Sequence, residues 1–164
     1  MAPPTASSPA RSSTATEIPT AIATMFATPD EAEHAFYEAL EHADLDRLMQ
    51  VWSDDEEIAC IHPGGLRIVG HTAVHESWQQ VLANGPLHLR PLRPLVMQSM
   101  MCAVHVLVEQ VTVMTREGAQ FANCYATNAY HKGPAGWRMV LHHASQAPAE
   151  AGVLDLHDFP DRLH

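Results

Sequence analysis

The chain has 164 residues, of which 46% are hydrophobic and 17% charged, so it is long enough and apolar enough to bury the core of one domain. Nine Lys and Arg residues stand against nineteen Asp and Glu, and the resulting formal charge of −10 has the wrong sign for binding phosphate backbones. No apolar run approaches the roughly 20 residues that cross a bilayer, and the first residues lack the basic start and apolar stretch of a secretory signal. We therefore expect a cytoplasmic protein that binds neither nucleic acid nor membrane.

Composition divides the chain into three parts. Residues 1–24 consist mainly of Ala, Pro, Ser and Thr without apolar periodicity, which predicts a disordered tail. A single domain is expected over residues 25–148, followed by a C-terminal tail over residues 149–164. Eleven acidic residues and one Arg lie between Asp30 and Glu57, so this stretch carries the whole net charge. It is interpreted as a solvated helix face, and a docking patch for a basic partner is the alternative.

Three helices are predicted in the first half of the domain. Residues 28–31 (Thr-Pro-Asp-Glu) have the cap, the first-turn proline and the capping-box glutamate of a helix start, and this helix ends near His42. Asp44 caps a second, short helix. A third helix runs over about residues 71–83 and stops at an Asn-Gly pair.

The strands are predicted as a short hairpin followed by a long meander. Residues 58–62 have the composition of a short buried strand, and residues 67–69 form its return after a Pro-Gly-Gly turn. Beyond the third helix the apolar period changes to that of strands, which predicts four longer strands over residues 87–96, 101–115, 120–132 and 137–145. Two prolines place the first of these at an edge of the sheet or at a bulge.

This order of elements predicts an α+β domain in which three N-terminal helices pack on a curved, mostly antiparallel sheet and leave a cone with a pocket. Several spaced motifs accompany it: Trp52 followed by acidic residues, Cys60-Ile61-His62-Pro63-Gly64-Gly65, Trp78, Val104 to Glu109, and Trp137-Arg138-Met139-Val140 leading to His143-Ala144-Ser145. Over roughly residues 28–148 the chain therefore resembles the nuclear transport factor 2-like (NTF2-like) superfamily, and within it the SnoaL-like branch. That superfamily includes isomerases, dehydratases, cyclases and non-catalytic binding domains, so the resemblance implies the fold more strongly than the function.

Glu109 is the first candidate catalytic residue. Between residues 58 and 116 it is the one acidic residue inside an apolar strand, and alternation places it on the same face as Ala103, His105 and Leu107. If that face lines the pocket, burial raises the pKa of Glu109 and suits it to move a proton in enolisation or dehydration. The resemblance implies the same role, because enzymes of this fold use a pocket carboxylate. The alternative is that Glu109 faces solvent or pairs with an Arg on a neighbouring strand.

Two histidines are candidate catalytic partners of this carboxylate. His62 ends the first strand directly before a turn, and His143 shares a face of the last strand with Trp137. Either is suited to act as acid, base or hydrogen-bond donor near neutral pH. Alternation points His142 to the opposite face, so we expect only one of this neighbouring pair at the pocket. The alternative is that these are ordinary core histidines.

A further group of residues is predicted to contact a flat apolar ligand, with core packing as the alternative for the tryptophans. They are Trp52, Trp78, Tyr125, Asn123 and His105. His71 and His75 have the i, i+4 spacing of a metal clamp, but no third ligand accompanies them in the sequence, so we expect neither a metal nor another cofactor. The three widely spaced cysteines are expected to be buried thiols.

Two functions follow from these residues. The first is a small-molecule-binding domain that acts as a cofactor-independent isomerase or lyase on an apolar substrate, with Glu109 as base and His62 or His143 as hydrogen-bond partner of the developing oxyanion. The residue sets of ketosteroid isomerases and scytalone dehydratases do not match this chain in full, so no catalytic role is carried over from either. The second is a non-catalytic homodimer or scaffold that associates through the open face of the sheet, with the cone filled by side chains.

Overall fold

The structure, a computed structural model, describes residues 25–154. The tail predicted over residues 1–24 and most of the predicted C-terminal tail lie outside these described residues. The helices are α1 (Pro29–Glu41), α2 (Leu45–Val51), α3 (His71–Leu82) and the short α4 (Ala151–Leu154). The strands are β1 (Ala59–Ile61), β2 (Arg67–Val69), β3 (Leu89–Gln98), β4 (Cys102–Thr115), β5 (Gly118–Gly133) and β6 (Gly136–Gln146).

All six strands belong to one sheet in the order β2-β1-β6-β5-β4-β3. Neighbouring strands are antiparallel except β1 and β6, which run parallel. The helices α1, α2 and α3 precede the four long strands, as predicted, and α1 packs against β6 and β3. The predicted α+β arrangement is thereby confirmed. Between residues 25 and 154, no helix combines the length and apolar character needed to cross a bilayer.

The helix starts follow the predicted capping residues. The Thr28 hydroxyl accepts a hydrogen bond from the Glu31 N–H at 3.1 Å, and the Glu31 carboxylate accepts one from the Ala27 N–H at 2.8 Å. These bonds satisfy backbone donors that have no partner within the first helical turn. The side chain of Asp44 caps α2 in the same manner. Local sequence therefore sets where both helices begin.

The strand β3 is both an edge strand and irregular, as the two prolines predicted. Within residues 25–154 it pairs with β4 alone, and its register shifts between Leu92 and Leu95. Pro91 lies just before this interruption, Pro94 lies within it, and Arg93, also within it, has a positive φ of 50°. Because proline has no N–H to donate, a bulged edge strand is where two of them are tolerated.

A second bulge lies between β5 and β6. Ala129 pairs with Leu141 and the next residue, Tyr130, pairs with Met139, so Val140 has no partner across the ladder. One extra residue in a strand reverses the alternation of its side chains between the two faces of the sheet. Residues of β6 that follow Val140 therefore point opposite to the direction that simple alternation predicts.

The three cysteines differ in burial, contrary to the expectation that all are buried. Cys60 is buried, Cys124 is half-buried and Cys102 is exposed. Cys102 is the first residue of β4, directly after the turn from β3, so its side chain lies at the rim of the sheet. The apolar residues around it in sequence indicated a strand correctly, but the end of a strand is less covered than its middle.

Replacing the α1 cap tests its contribution to stability. Thr28→Ala removes the hydroxyl acceptor and is expected to lower the free energy of unfolding by about 1 kcal/mol, measured by chemical denaturation. Thr28→Ser keeps the acceptor and is the matched control, with a change expected within about 0.5 kcal/mol. Equal losses in the two variants would contradict the capping role.

Candidate functional site

A cavity of about 240 Å³ lies between α1, α3 and the sheet. Most of its wall is apolar. Apart from the thiol of Cys124, the titratable side chains in the wall are Glu109, His62 and His142. No Lys or Arg is found among the described residues that line it. The remaining lining residues are Leu40, Pro63, Trp78, Val81, Leu87, Leu89, Val111, Cys124 and Ala144.

Glu109 lies in the middle of β4 and faces the cavity. Its side chain is buried, with 4% exposure, and its Oε1 accepts a hydrogen bond of 2.8 Å from the Tyr37 hydroxyl. Burial raises the pKa of Glu109 to about 7, because the ionised form loses water; the Tyr37 hydrogen bond opposes this shift and the nearby Glu33 charge adds to it. The interpretation that places Glu109 at the pocket is confirmed, and the pairing with an Arg is wrong. Its catalytic role stays a prediction.

Glu33 on α1 is a second buried carboxylate, which the sequence analysis did not identify. Its Oε2 accepts hydrogen bonds from His105 Nδ1 at 2.9 Å, Asn128 Nδ2 at 3.2 Å and the Tyr130 hydroxyl at 3.0 Å. Burial lowers the pKa of His105, but the hydrogen bond and charge of Glu33 together raise it by more, so the net shift is upward. His105, predicted to bind a ligand, instead bonds to Glu33 and is absent from the cavity wall.

Asn128 on β5 joins the two carboxylates to His142. Its amide nitrogen donates to Glu33 and also to the Tyr37 hydroxyl, at 3.0 Å. Its Oδ1 lies 2.7 Å from His142 Nδ1. One continuous network of buried hydrogen bonds therefore runs from Glu33 through Asn128 to the two cavity-lining groups, Glu109 and His142.

The predicted face of His143 is wrong. His142 is 3% exposed and lines the cavity, whereas His143 is exposed on the opposite face of the sheet. The Val140 bulge explains the exchange, because Trp137 and Met139 before it share their face with His142 after it. Burial, together with the nearby His62 and His143, lowers the pKa of His142 to about 3, so this ring is neutral at physiological pH.

His62 lies at the cavity, as predicted. It is half-buried and its ring packs edge-to-face against Trp78, with 4.7 Å between ring centroids. Its Nε2 is 3.1 Å from the Ser77 hydroxyl, which itself donates to the Val74 carbonyl at 3.1 Å. Because that hydroxyl hydrogen is used, Ser77 accepts from the Nε2–H of His62. Burial lowers the pKa of His62, so the ring is mainly neutral near pH 7.

Among the residues predicted to bind a ligand, Trp78 is the one that lines the cavity. Trp52 is 1% exposed in the core, as the alternative interpretation held. Tyr125 is 46% exposed on the face of the sheet opposite α1–α3. Trp52 is the C-cap of α2 and packs in the core, whereas the side that the strand residue Tyr125 faces is set by the sheet.

Asn123 is also placed outside the cavity. Its amide nitrogen donates to the Ala149 carbonyl at 2.9 Å, which ties β5 to the segment before α4. It lines a wider depression of about 490 Å³ that adjoins the cavity and shares Pro63 and Cys124 with it. A ligand that contacts both Asn123 and Glu109 would have to extend across this shared wall.

Spacing along α1 is the signal that could have identified the missed residues. Glu33 and Tyr37 are four residues apart and alternate with the buried Phe36 and Leu40, so they share the face that packs on the sheet. Two polar side chains on the apolar face of a helix need buried partners. The strand residues that pair with Glu33 and Tyr37, in contrast, cannot be predicted from the spacing of residues along the sequence.

The thiols and metal-ligating residues do not add a second type of chemistry at the cavity. Burial raises the pKa of Cys124, the thiol in the cavity wall, so it is held in the weakly nucleophilic protonated form. Burial raises the pKa of Cys60 to about 12 for the same reason. Within residues 25–154, no three His, Cys, Asp or Glu side chains are grouped so as to hold a metal ion.

The burial of Glu109 predicts a pH-dependent stability. The folded protein binds a proton at about pH 7 that the unfolded chain releases near 4.5, so stability falls as pH rises between these values, by about 3 kcal/mol. Glu109→Gln has no such titration. The free energy of unfolding of this variant minus that of the native protein should therefore increase by about 3 kcal/mol between pH 4.5 and pH 7. Glu76→Gln, at an exposed site on α3, is the control. A difference that does not vary with pH would contradict the raised pKa.

Solved structures of bacterial proteins are similar to this chain over most of its length. A protein of Thiobacillus denitrificans is 35% identical, with coverage of 76% of this chain and 99% of that one and a TM-score of 0.70; it is provisionally described as a calcium/calmodulin-dependent protein kinase type II association domain. A protein of Streptomyces avermitilis, provisionally described as a dehydratase of the NTF2-like family, is 25% identical, with coverage of 74% and 100% and a TM-score of 0.64.

A third structure supports the same fold. An NTF2-like superfamily protein of Salmonella enterica serovar Typhimurium is 23% identical, with coverage of 75% of this chain and 90% of that one and a TM-score of 0.63. A search of curated proteins found no significant match. The family model of the SnoaL-like domain matches residues 30–150. The chain therefore belongs to the SnoaL-like domain family, with an NTF2-like fold, as the sequence motifs predicted.

Proposed function

We propose that this SnoaL-like domain binds a small neutral molecule in its cavity and acts on it by acid/base chemistry without a cofactor, as an isomerase or lyase. The observation that carries the proposal is the environment of Glu109, a buried carboxyl group in an apolar cavity whose pKa is raised to about 7. A group with a pKa near the working pH can both take and return a proton, which is the requirement for a proton shuttle. The dehydratase description of the Streptomyces relative is consistent with this class of reaction.

The cavity wall favours a neutral, compact ligand. A carboxylate or phosphate bound there would be removed from water, and the described lining residues include no cation to compensate its charge. The volume of about 240 Å³ is below the usual range for ligand sites, which begins near 300 Å³. These features fit a molecule of one or two rings.

The orientation of Glu109 suits proton transfer from carbon. The Tyr37 hydroxyl occupies Oε1, which leaves Oε2 as the oxygen that can take the substrate proton. His62 lies at the cavity wall and, by turning its N–H from Ser77 to a substrate oxygen, would stabilise the negative charge that develops there. The protonated Glu109 then returns its proton to another carbon, which completes an isomerisation, or to a departing hydroxyl, which releases water and leaves a double bond.

Proton exchange at carbon tests this role without knowledge of the natural substrate. In D₂O, the native protein should accelerate deuterium uptake at the α-carbons of cyclohexanone or 2-tetralone, followed by proton NMR. Glu109→Gln should lower the catalysed rate at least about 100-fold. The native rate should rise with pH through about 7, because the carboxylate is the active base.

The control in this experiment is Glu76→Gln, which changes an exposed carboxylate and should exchange like the native protein. An equal rate in Glu109→Gln and the native protein, or no catalysis by the native protein with either ketone, would count against Glu109 as the base.

Homodimerisation through the open face of the sheet is the second candidate function. The face opposite α1–α3 exposes apolar side chains on several strands: Val69 at 52%, Leu95 at 63%, Met97 at 51% and Tyr125 at 46%. Contiguous apolar surface on a folded domain commonly marks an interaction site. The 35% identical Thiobacillus protein, described as an association domain, supports this candidate. The two functions are compatible, because they use opposite faces of the sheet.

The dimer is tested by measuring mass in solution. Light scattering coupled to size-exclusion chromatography should give twice the chain mass for the native protein at tens of micromolar. Tyr125→Asp places a charge on the open face and should shift the protein to monomer. Leu66→Asp, at an 87% exposed position between β1 and β2, is the control and should remain dimeric. A monomeric native protein would rule out this association.

A further inference from the structure

The environment of His142 allows an inference about the hydrogen-bonding chemistry of the cavity. We infer that Glu33 and Asn128 act as positioning residues that hold the His142 imidazole in its Nδ1–H form, so that its Nε2 lone pair accepts a hydrogen bond from a hydroxyl group of the ligand. The statement about the ligand rests on the proposed small-molecule site. The statement about the imidazole does not, and it can be tested on the protein alone.

The first step is the orientation of the Asn128 amide. Glu33 Oε2 faces this amide at 3.2 Å and is itself held by donors from His105 and Tyr130. A carboxylate oxygen can only accept hydrogen bonds, so the amide must turn its nitrogen toward Glu33. A flipped amide would set two acceptors against each other in a buried site and leave both without a partner, which is costly.

A second contact supports the same orientation. The Tyr37 hydroxyl uses its hydrogen to bond Glu109 Oε1 at 2.8 Å, so its oxygen accepts the other amide hydrogen of Asn128 at 3.0 Å. Both hydrogens of the Asn128 amide are then used on the α1 side. Its Oδ1 necessarily points the other way, toward β6.

The second step is the protonation of the imidazole. His142 Nδ1 lies 2.7 Å from Asn128 Oδ1, which can only accept, so Nδ1 carries the ring hydrogen. The other residues packed on the ring are Phe36, with 5.1 Å between ring centroids, and Trp78, with 5.7 Å. The ring is fully buried and neutral, so it has one hydrogen, and Nε2 is left with a lone pair.

This arrangement selects the chemistry of the ligand. His142 lines the cavity as an acceptor, so a hydroxyl placed against it gains a hydrogen bond, whereas an ether or carbonyl oxygen placed there meets a second lone pair. His62 on the same cavity already donates its N–H to Ser77 Oγ. The cavity therefore suits a ligand that has a hydroxyl group placed against His142.

Nitrogen NMR measures the tautomer directly. In protein labelled with ¹⁵N-histidine, long-range proton–nitrogen correlation spectra distinguish a protonated ring nitrogen from one with a lone pair, and His142→Gln identifies the signals of His142. We expect Nδ1 protonated and Nε2 unprotonated in the native protein at pH 7. The opposite pattern would overturn the inference.

Variants separate the parts played by the two positioning residues. Asn128→Leu removes the acceptor of the His142 N–H. Glu33→Gln replaces an acceptor-only carboxylate by an amide that can also donate, so it no longer forces the Asn128 nitrogen toward α1. Both variants should produce a substantial Nε2–H population. Asn128→Asp keeps an acceptor for His142 and should retain the Nδ1–H form. If Asn128→Leu fails to fold, the two polar variants still decide the outcome.

Asn123→Leu is the matched control, because it changes an asparagine of the same strand on the opposite face and should leave the His142 signals unchanged. Native-like His142 signals in Glu33→Gln would overturn the role of Glu33. The same result in Asn128→Leu, or loss of the Nδ1–H form in Asn128→Asp, would overturn that of Asn128.

Phenol and anisole test the preference for a hydroxyl, because they share a ring and differ in the donor. Phenol should shift the His142 Nε2 signal and bind the native protein about tenfold more tightly than anisole, the size expected for one hydrogen bond. That advantage should disappear in His142→Phe. Equal binding of the two probes, no shift at Nε2, or an advantage that persists in His142→Phe would overturn the assignment of the ligand hydroxyl, whether or not the ketone exchange reaction is observed.

Discussion

The buried amide of Asn128 is the point at which α1 and the sheet are held in one relative position. It donates to Glu33 and Tyr37 of α1 and accepts from His142 of β6. Buried polar groups are costly when unpaired, so α1 can satisfy these groups only with that face and that register over β4, β5 and β6. The same register brings Tyr37 to Glu109 and leaves the apolar cavity beside them. The position of the candidate site is thus a consequence of how the helix is hydrogen-bonded to the sheet.

The two buried carboxylates, Glu33 and Glu109, have different environments and therefore different surroundings to act on. Glu33 has three donors on one oxygen, whereas Glu109 has one donor and an apolar wall. Pairs of titratable groups in contrasting environments are typical of acid–base sites. Glu33 organises its neighbours, while Glu109 faces the space that a ligand would occupy. The burial that raises the pKa of Glu109 also lowers the free energy of unfolding as pH rises through that pKa.

Strand alternation predicted the face of Glu109 correctly and the face of His143 incorrectly. The difference between the two cases is one unpaired residue, Val140, in β6. From Ala103 to Glu109 the ladder is regular, so alternation holds and the predicted face is observed. In β6 the unpaired Val140 reverses alternation, and the neighbouring His142 reaches the cavity instead. A bulge depends on how a strand meets its neighbour, and that pairing leaves no clear signal in the strand's own sequence.

The sequence by itself determined the three helices, the four long strands, the bulged edge strand and the α+β class, because caps, turn residues and apolar period act over a few neighbouring residues. It also identified Glu109, since an acidic residue inside an apolar strand is conspicuous without any knowledge of contacts. Only the tertiary structure decided that Glu33, Tyr37 and Asn128 join that residue, and that His142 rather than His143 faces the cavity. The first decision rests on the position of α1 against the sheet, which is set by contacts between residues about 70 to 100 positions apart. The second rests on the register of β5 against β6, where one unpaired residue changes the face that follows.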